Sequence, residues 1–325
     1  MAPNIRADTV DCRPNRAAAS ELVGVYLELA KARLALMVVL TALVGYVVAA
    51  RGAARLDVLL WAVVGTALTA FGANILNQCW EMERDRRMER TRGRPLPAGR
   101  ILRSRAIRWG LASCIIGLAV LAAGTNLPTA ALALFVILLY MPVYTYLKTT
   151  TPLNTVVGAV CGAVPPMMGW TAATGRLDAG AWVLGGILFL WQIPHFLALA
   201  WMYRDDYARG GFRMVPSVDP SGSLTGRLAL LYAVGLLPVS ALVTWLGVSG
   251  RSFLVASQLL GGLVVVLAVG FLVRRSQPAA RNLFLASILY LPLLLGVMVA
   301  DMDDRILSMA RAAGTAVLSL VTGGS

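Results

Sequence analysis

Residues 58–100 read VLLWAVVGTALTAFGANILNQCWEMERDRRMERTRGRPLPAGR. A mostly apolar run of about 20 residues crosses the hydrocarbon of a bilayer as a helix, and residues 58–79 form such a run. Its end carries Glu81, Glu83, Asp85 and Glu89 among arginines, in a chain whose charged residues make up only 14% of the total. Acid and base concentrated at a membrane edge suit a metal ion and an anionic, lipid-tailed substrate.

The rest of the chain repeats the apolar half of this stretch. Of 325 residues, 58% are hydrophobic and the mean hydropathy is +0.73, which leaves too little polar surface for a soluble fold of this length. Further apolar segments lie at about 33–50, 106–124, 127–147, 153–173, 180–202, 227–248, 252–273 and 283–300. With 58–79 they predict an all-α polytopic membrane protein of nine helices, the fifth broken by Pro165 and Pro166. Residues 1–21 read as a cytoplasmic, poorly ordered segment, 22–300 as one intramembrane domain and 301–325 as a tail.

A net charge of +13 would suggest nucleic acid in a soluble domain. Here the positive-inside rule accounts for it. With the N-terminus inside, 23 of the 29 Lys and Arg residues fall on the inner side and 6 on the outer: Arg51, Arg55, Arg176, Arg251, Arg305 and Arg311. This predicts a cytoplasmic N-terminus, an outer C-terminus and no nucleic-acid partner. Residues 1–21 lack the apolar core of a cleaved signal peptide and carry Asp8, Asp11 and Glu21, which transit peptides avoid. A bacterial inner membrane is the expected address. Cys12, Cys79, Cys114 and Cys161 show no CxxC spacing and argue against a disulfide framework or zinc site.

If the second helix continues through the charged stretch, Asn77, Glu81, Asp85 and Glu89 fall at successive i, i+4 positions and form one stripe. Glu83 then points away, and Asn74 lies one turn before Asn77. Such oxygen donors suit Mg²⁺, which takes one or two carboxylates and completes its shell with water and substrate phosphates. Interfacial salt bridges, with surplus arginines meeting lipid head groups, are the simpler use of the same residues. A second constellation, WQIPHFLALAWMYRDDYARGGFRMVP at 191–216, ends the sixth span on the same side with Asp205 and Asp206 beside Arg204. Two acidic helix ends facing each other could hold two magnesium ions on one diphosphate and offset the charge growing on a departing pyrophosphate.

His195 is the only histidine and sits in the apolar part of a span, where a polar ring is costly unless it faces protein or a cavity. Proton transfer, a hydrogen bond to a substrate carboxylate, axial contact with a haem iron and a packing hydrogen bond near Pro194 all remain open. Tyr140, Tyr144 and Lys148 share one face of the fourth span. Lys148 suits either a phosphate or a snorkelling anchor. Asn154 and the small-residue-rich GAVCGAVPPMMGW, 158–170, follow it, as expected where helices approach closely.

Three blocks reach beyond this chemistry: DRRMERTRGRPLPAGRI at 85–101, YTYLK with TPLNTVVGAVCGAVPPMMGW at 144–170, and the 191–216 string. Through them the chain resembles the protohaem IX farnesyltransferase (haem O synthase) branch of the UbiA-type intramembrane prenyltransferases, over about residues 22–300. The resemblance implies helices around a central cavity, capped on the cytoplasmic side by the acidic motifs. It implies transfer of farnesyl from farnesyl diphosphate to a vinyl group of protohaem IX with addition of water, giving haem O. It also implies catalytic, Mg²⁺-binding roles for Asn77, Glu81, Asp85, Asp205 and Asp206, and diphosphate-binding roles for Arg90, Arg94 and Lys148. Asn74, Tyr144, Asn154, His195, Tyr203 and Arg204 are expected at the substrates. Haem would be a substrate, not a resident cofactor; membrane lipids would surround the protein, and a haem A synthase is a candidate partner. Two departures stand out: Glu81 where the family usually has Asp, and Thr149 and Thr150 where basic residues are common. The rival readings are a quinone or chlorin acceptor and, in a different class, a transporter. A transporter should bind its cargo near the midplane, and the acidic residues at helix ends argue against it.

Overall fold

The computed structural model describes residues 16–322, with side chains described from 22 to 302. Residues 1–15, and with them Cys12 and most of the segment expected to be poorly ordered, lie outside the described residues. The run read from 58–79 belongs to a helix of 30 residues, Leu56–Asp85, about 45 Å long at 1.5 Å per residue. A hydrocarbon core is about 30 Å thick, so this helix carries its charged end beyond the apolar layer.

The helix stops at Asp85 because its next hydrogen bond is already taken. The Thr91 hydroxyl donates to the Asp85 carbonyl at 2.9 Å, and the Glu89 N–H that would have bonded there donates to Asp206 Oδ1 at 2.9 Å instead. Glu89 is therefore exposed and off the helical stripe, which corrects the expected four-residue row.

Among the described residues nine helices are long and apolar enough to span: Ala32–Ala50, Leu56–Asp85, Arg103–Gly124, Leu127–Thr150, Asn154–Thr174, Ala179–Met202, Ser223–Trp245, Arg251–Arg274 and Gln277–Met302. The ninth continues as one helix to Thr322, so the residues read as a tail prolong it. A helix Arg16–Leu29 precedes the first span, and short helices Arg204–Arg209 and Val215–Val218 join the sixth to the seventh.

The fifth span is unbroken at Pro165 and Pro166, against expectation. Each proline removes a ladder bond, but the first span packs backbone to backbone against this region. A side chain at Gly45 would run into the Pro166 carbonyl, and one at Gly169 into that of Ala42. Close approach through small residues is how membrane helices gain packing and tolerate such interruptions. The fourth span absorbs Pro142 as a π-helical segment, Leu139–Tyr144, where both the N–H and the hydroxyl of Thr145 reach the Tyr140 carbonyl.

The largest core lies among the later spans and includes Trp170, Leu184, Trp201, Phe253, Phe271 and Tyr290. Leu259, Val266 and Val273 on the eighth span are 72%, 66% and 72% exposed. An exterior row of bare aliphatics at seven-residue intervals is suited to lipid and not to water.

Candidate active site

The end of the second span places Asn77, Glu81 and Asp85 at 0%, 4% and 1% exposure. Burial at this level demands partners, and each residue has them. Glu81 Oε1 lies 2.7 Å from Lys148 Nζ. Asp85 Oδ2 lies 2.7 Å from Arg94 Nη1. Asn77 donates to Thr145 Oγ1 at 3.1 Å and accepts from Lys31 Nζ at 3.2 Å and from the Tyr140 hydroxyl at 3.4 Å. Glu83 is exposed and pairs with Arg86, as its position on the other side of the helix requires.

The π-helical segment keeps its two tyrosines together. Tyr140 and Tyr144 stack with centroids 5.2 Å apart, and Lys148 Nζ sits 4.5 Å from the centre of the Tyr144 ring. One wall of the site is thus aromatic and ends in a cation. Burial pushes the Lys31 amine down to about 7, with Arg94 and Lys148 repelling it against the pull of Glu81 and Asp85. Lys31, Arg94 and Lys148 face the carboxylates of Glu81 and Asp85, so the protonated cluster carries an excess positive charge that favours an anion.

Asp206 brings the second constellation to the first. It accepts from Glu89 N–H at 2.9 Å, Arg90 N–H at 3.5 Å and Arg209 Nη2 at 2.9 Å. Its burial favours the neutral acid, but these donors outweigh burial and hold the carboxyl below the usual carboxylate range. The guanidinium of Arg90 lies over Tyr203 at 5.3 Å and Tyr207 at 5.5 Å, and donates to the Tyr207 hydroxyl. Glu89, Arg90, Tyr203, Asp205, Asp206 and Arg209 line a hollow on this side of the bundle.

Other expected residues are placed differently. Asp205 is exposed and 3.7 Å from Arg204, whose guanidinium lies over Trp201; neither touches the buried carboxylates. Asn74 spends its amide on the Ala30 carbonyl at 3.0 Å. Asn154 ties the Thr151 and Arg213 carbonyls at 2.7 Å each. Both are engaged in joining chain segments. His195 packs against the ninth span, away from the carboxylates, with Nδ1 at 2.8 Å from Ser287 Oγ. Lys31 was missed as a site residue. In the sequence it is one more inner-side charge, and its partner Asn77 is 46 residues away.

Among the described residues no three His, Cys, Asp or Glu side chains form a ready-made metal cage. The donor set still fits Mg²⁺, which relies on substrate phosphates for part of its shell. Among the described residues Asp85 Oδ1 is buried without a partner, and an orphaned acceptor of that kind is what an incoming cation would satisfy.

A membrane bundle with a buried, cation-rich acidic cluster at one end defines a class, and the sequence profile agrees. The chain belongs to the UbiA prenyltransferase family, whose profile matches residues 38–291. It is 41% identical over 285 residues to protoheme IX farnesyltransferase of Solibacter usitatus, covering 85% of this chain and 98% of that protein. It is 45% identical over 267 residues to that of Anaeromyxobacter sp., covering 82% and 89%. The mitochondrial protoheme IX farnesyltransferase of Homo sapiens is longer, and the chain spans 62% of it at 41% identity. Among solved structures, a digeranylgeranylglyceryl phosphate synthase matches with a TM-score of 0.75 at 16% identity, over 87% of this chain and 99% of that one. A UbiA homologue from Archaeoglobus fulgidus bound to GPP and Mg²⁺ matches with a TM-score of 0.57 at 15% identity, over 84% and 99%. These two likenesses are of fold.

Proposed function

We propose that this chain transfers the farnesyl group of farnesyl diphosphate to a vinyl group of protohaem IX, with addition of water, giving haem O and diphosphate. The observation that carries the chemistry is the pair of buried carboxylates, Glu81 and Asp85, each held by a cation at 2.7 Å at the membrane end of the second span. The acceptor comes from the relatives, which share the activity in their names over nearly their whole length.

Breaking an allylic C–O bond puts negative charge on the departing diphosphate. Lys148 and Arg94 are fixed beside the carboxylates before substrate arrives, and preorganised charge costs no rearrangement at the moment of reaction. Lys31, whose amine burial pushes down to about 7, would hold its proton as a third cation once the diphosphate charge lies beside it. Asn77, Glu81 and Asp85 would hold Mg²⁺, with Asp206 holding the loop that carries Arg90. When bound, the ion supplies neutralisation of diphosphate charge. The Tyr140–Tyr144 stack closes one side with aromatic surface, which keeps water from the farnesyl cation until the vinyl carbon attacks it. Water then quenches the cation left on the haem side chain.

We place the protein in a bacterial inner membrane with its N-terminus in the cytoplasm, on the strength of the 23 to 6 asymmetry of Lys and Arg. A haem A synthase is the proposed recipient of the product. Expressing Asp85→Asn and Asp206→Asn variants and extracting the membrane haems tests the reading. Loss of haem O with the variant protein still present in the membrane is expected; normal haem O from both variants would sink the assignment.

A further inference from the structure

Ser287 is fully buried on the ninth span, and its hydroxyl oxygen has two close neighbours. It lies 2.6 Å from the Phe284 carbonyl and 2.8 Å from His195 Nδ1. A serine hydroxyl has one proton to give. The carbonyl must receive it, because two acceptors at 2.6 Å would otherwise repel. Ser287 is left to accept from His195, so the imidazole carries its proton on Nδ1. The Nε2 lone pair is then free, and no hydrogen bond from a described residue reaches that nitrogen.

The ring around this lone pair is fixed on several sides. It stacks on Trp191 at 5.2 Å and Phe284 at 4.8 Å, and meets Phe196 edge-on at 5.5 Å. Trp191 Nε1 donates to the Ser287 carbonyl at 2.7 Å, which binds the sixth span to the same residue of the ninth. A metalloporphyrin held through Nε2 would lie across the imidazole plane, so Trp191 and Phe284, inclined 26° and 30° to the imidazole, would turn their apolar edges to its face while the bare nitrogen meets its Lewis-acid centre. Histidines that ligate metals usually donate their other N–H to an oxygen that fixes the tautomer. Depth also fits. His195 is about 7.5 Å of helix rise further into the membrane than Ala200, which packs with Met88 and Phe212 beside the acidic loop. With the iron at that depth, a macrocycle standing vinyl edge toward the acidic loop would reach from His195 to the diphosphate end.

We propose that Ser287 is a positioning residue that sets the His195 tautomer, and that His195 Nε2 ligates the iron of the protohaem acceptor. This rests on the acceptor reading above. His195 is the only histidine in the chain, so tag-free protein labelled with ¹⁵N-histidine reports a single imidazole. Nδ1 should appear protonated and Nε2 bare, and zinc protoporphyrin, a diamagnetic probe, should shift Nε2. Ser287→Ala should mix the tautomers and weaken ferric protohaem binding about 10- to 100-fold. His195→Ala should abolish the imidazole-ligated Soret spectrum while farnesyl diphosphate still binds, which shows that the variant is folded. A proton on Nε2 in the unmodified protein, or a haem spectrum unchanged in His195→Ala, overturns the proposal. If haem O still forms normally in that event, only the ligation fails. If the unmodified protein neither binds nor farnesylates protohaem, the acceptor reading fails with it.

Discussion

Glu81 is one methylene longer than its neighbour in the stripe, Asp85, and that length sets the site. The extra methylene lets the carboxylate reach Lys148 at 2.7 Å while remaining buried. Glu81→Asp withdraws it by on the order of 1.5 Å, one C–C bond, and misplacement on that scale can cost about 100-fold. We expect Glu81→Asp to lower farnesyl transfer by roughly ten- to 100-fold, read as haem O formed by membranes at saturating farnesyl diphosphate. Activity at or above the unmodified level would mean that the extra length has no role. The stripe containing Glu81 was legible because helical spacing is a local property and the helix does run to Asp85. The other half of each pair was not. Asn74 shares the spacing of Asn77, yet its amide belongs to Ala30, 44 residues away. Asp205 and Asp206 are equivalent in sequence, and only the meeting with the Glu89 and Arg90 amides decides that Asp206 turns inward. His195 was legible as an anomaly, whereas Ser287, 92 residues later, carried no signal at all.

At the scale of elements, the loops between the second and third spans and between the sixth and seventh are fastened by carboxylates. Asp206 staples the 86–100 loop through two backbone N–H groups. Asp206→Ala leaves those donors without their acceptor, a loss of about 1–3 kcal/mol, and trypsin should then cut among the exposed arginines of that loop much faster than in the unmodified protein. Unchanged cleavage would show that other contacts hold the loop. Asp219 does the equivalent for the seventh span. It is 8% exposed and accepts from the Thr225 N–H at 2.8 Å, the Thr225 hydroxyl at 2.9 Å and Ser221 at 2.9 Å. Burial raises its pKa, and the Thr225 and Ser221 donors more than reverse that, so the folded value lies below the ordinary one. A depressed carboxylate pKa stabilises fully above the unfolded value, about 3.9, and that stabilisation is lost as pH falls through the folded value. Asp219→Ala should therefore cost about 1–2 kcal/mol at neutral pH, and its melting temperature should converge on that of the unmodified protein as pH drops below about 4. A gap that stays constant to acid pH would assign the loss to packing. The prolines show where element-level reading reaches its limit. Pro165 and Pro166 promise a break from local chemistry, but the Gly45 and Gly169 contacts that keep the helix whole come from another span.

At the scale of the molecule, length and hydropathy sufficed for the spans because the bilayer imposes one thickness on every crossing helix. Orientation rests on a different property, the side on which cations accumulate. The fold supplies an independent constraint. Asp206 bonds the backbone of Glu89 and Arg90, so the loop after the second span and the loop after the sixth are on one face, as an even number of crossings between them requires. The loop after the fifth span, containing Arg176, must then lie on the opposite face. Arg92 and Arg176 are both exposed, while Cys79, Cys114 and Cys161 are buried, so new cysteines at the two arginines can be read against a low background once Cys12 is replaced by Ser. We expect a membrane-impermeant maleimide to label Arg92→Cys only in inside-out vesicles and Arg176→Cys only in intact spheroplasts. Labelling of both from one side would break the crossing count between them, which the Asp206 contacts alone cannot repair. Labelling with the two sides exchanged would keep the fold and invert the protein, placing the diphosphate cluster outside and leaving the 23 inner cations on the wrong face of the membrane.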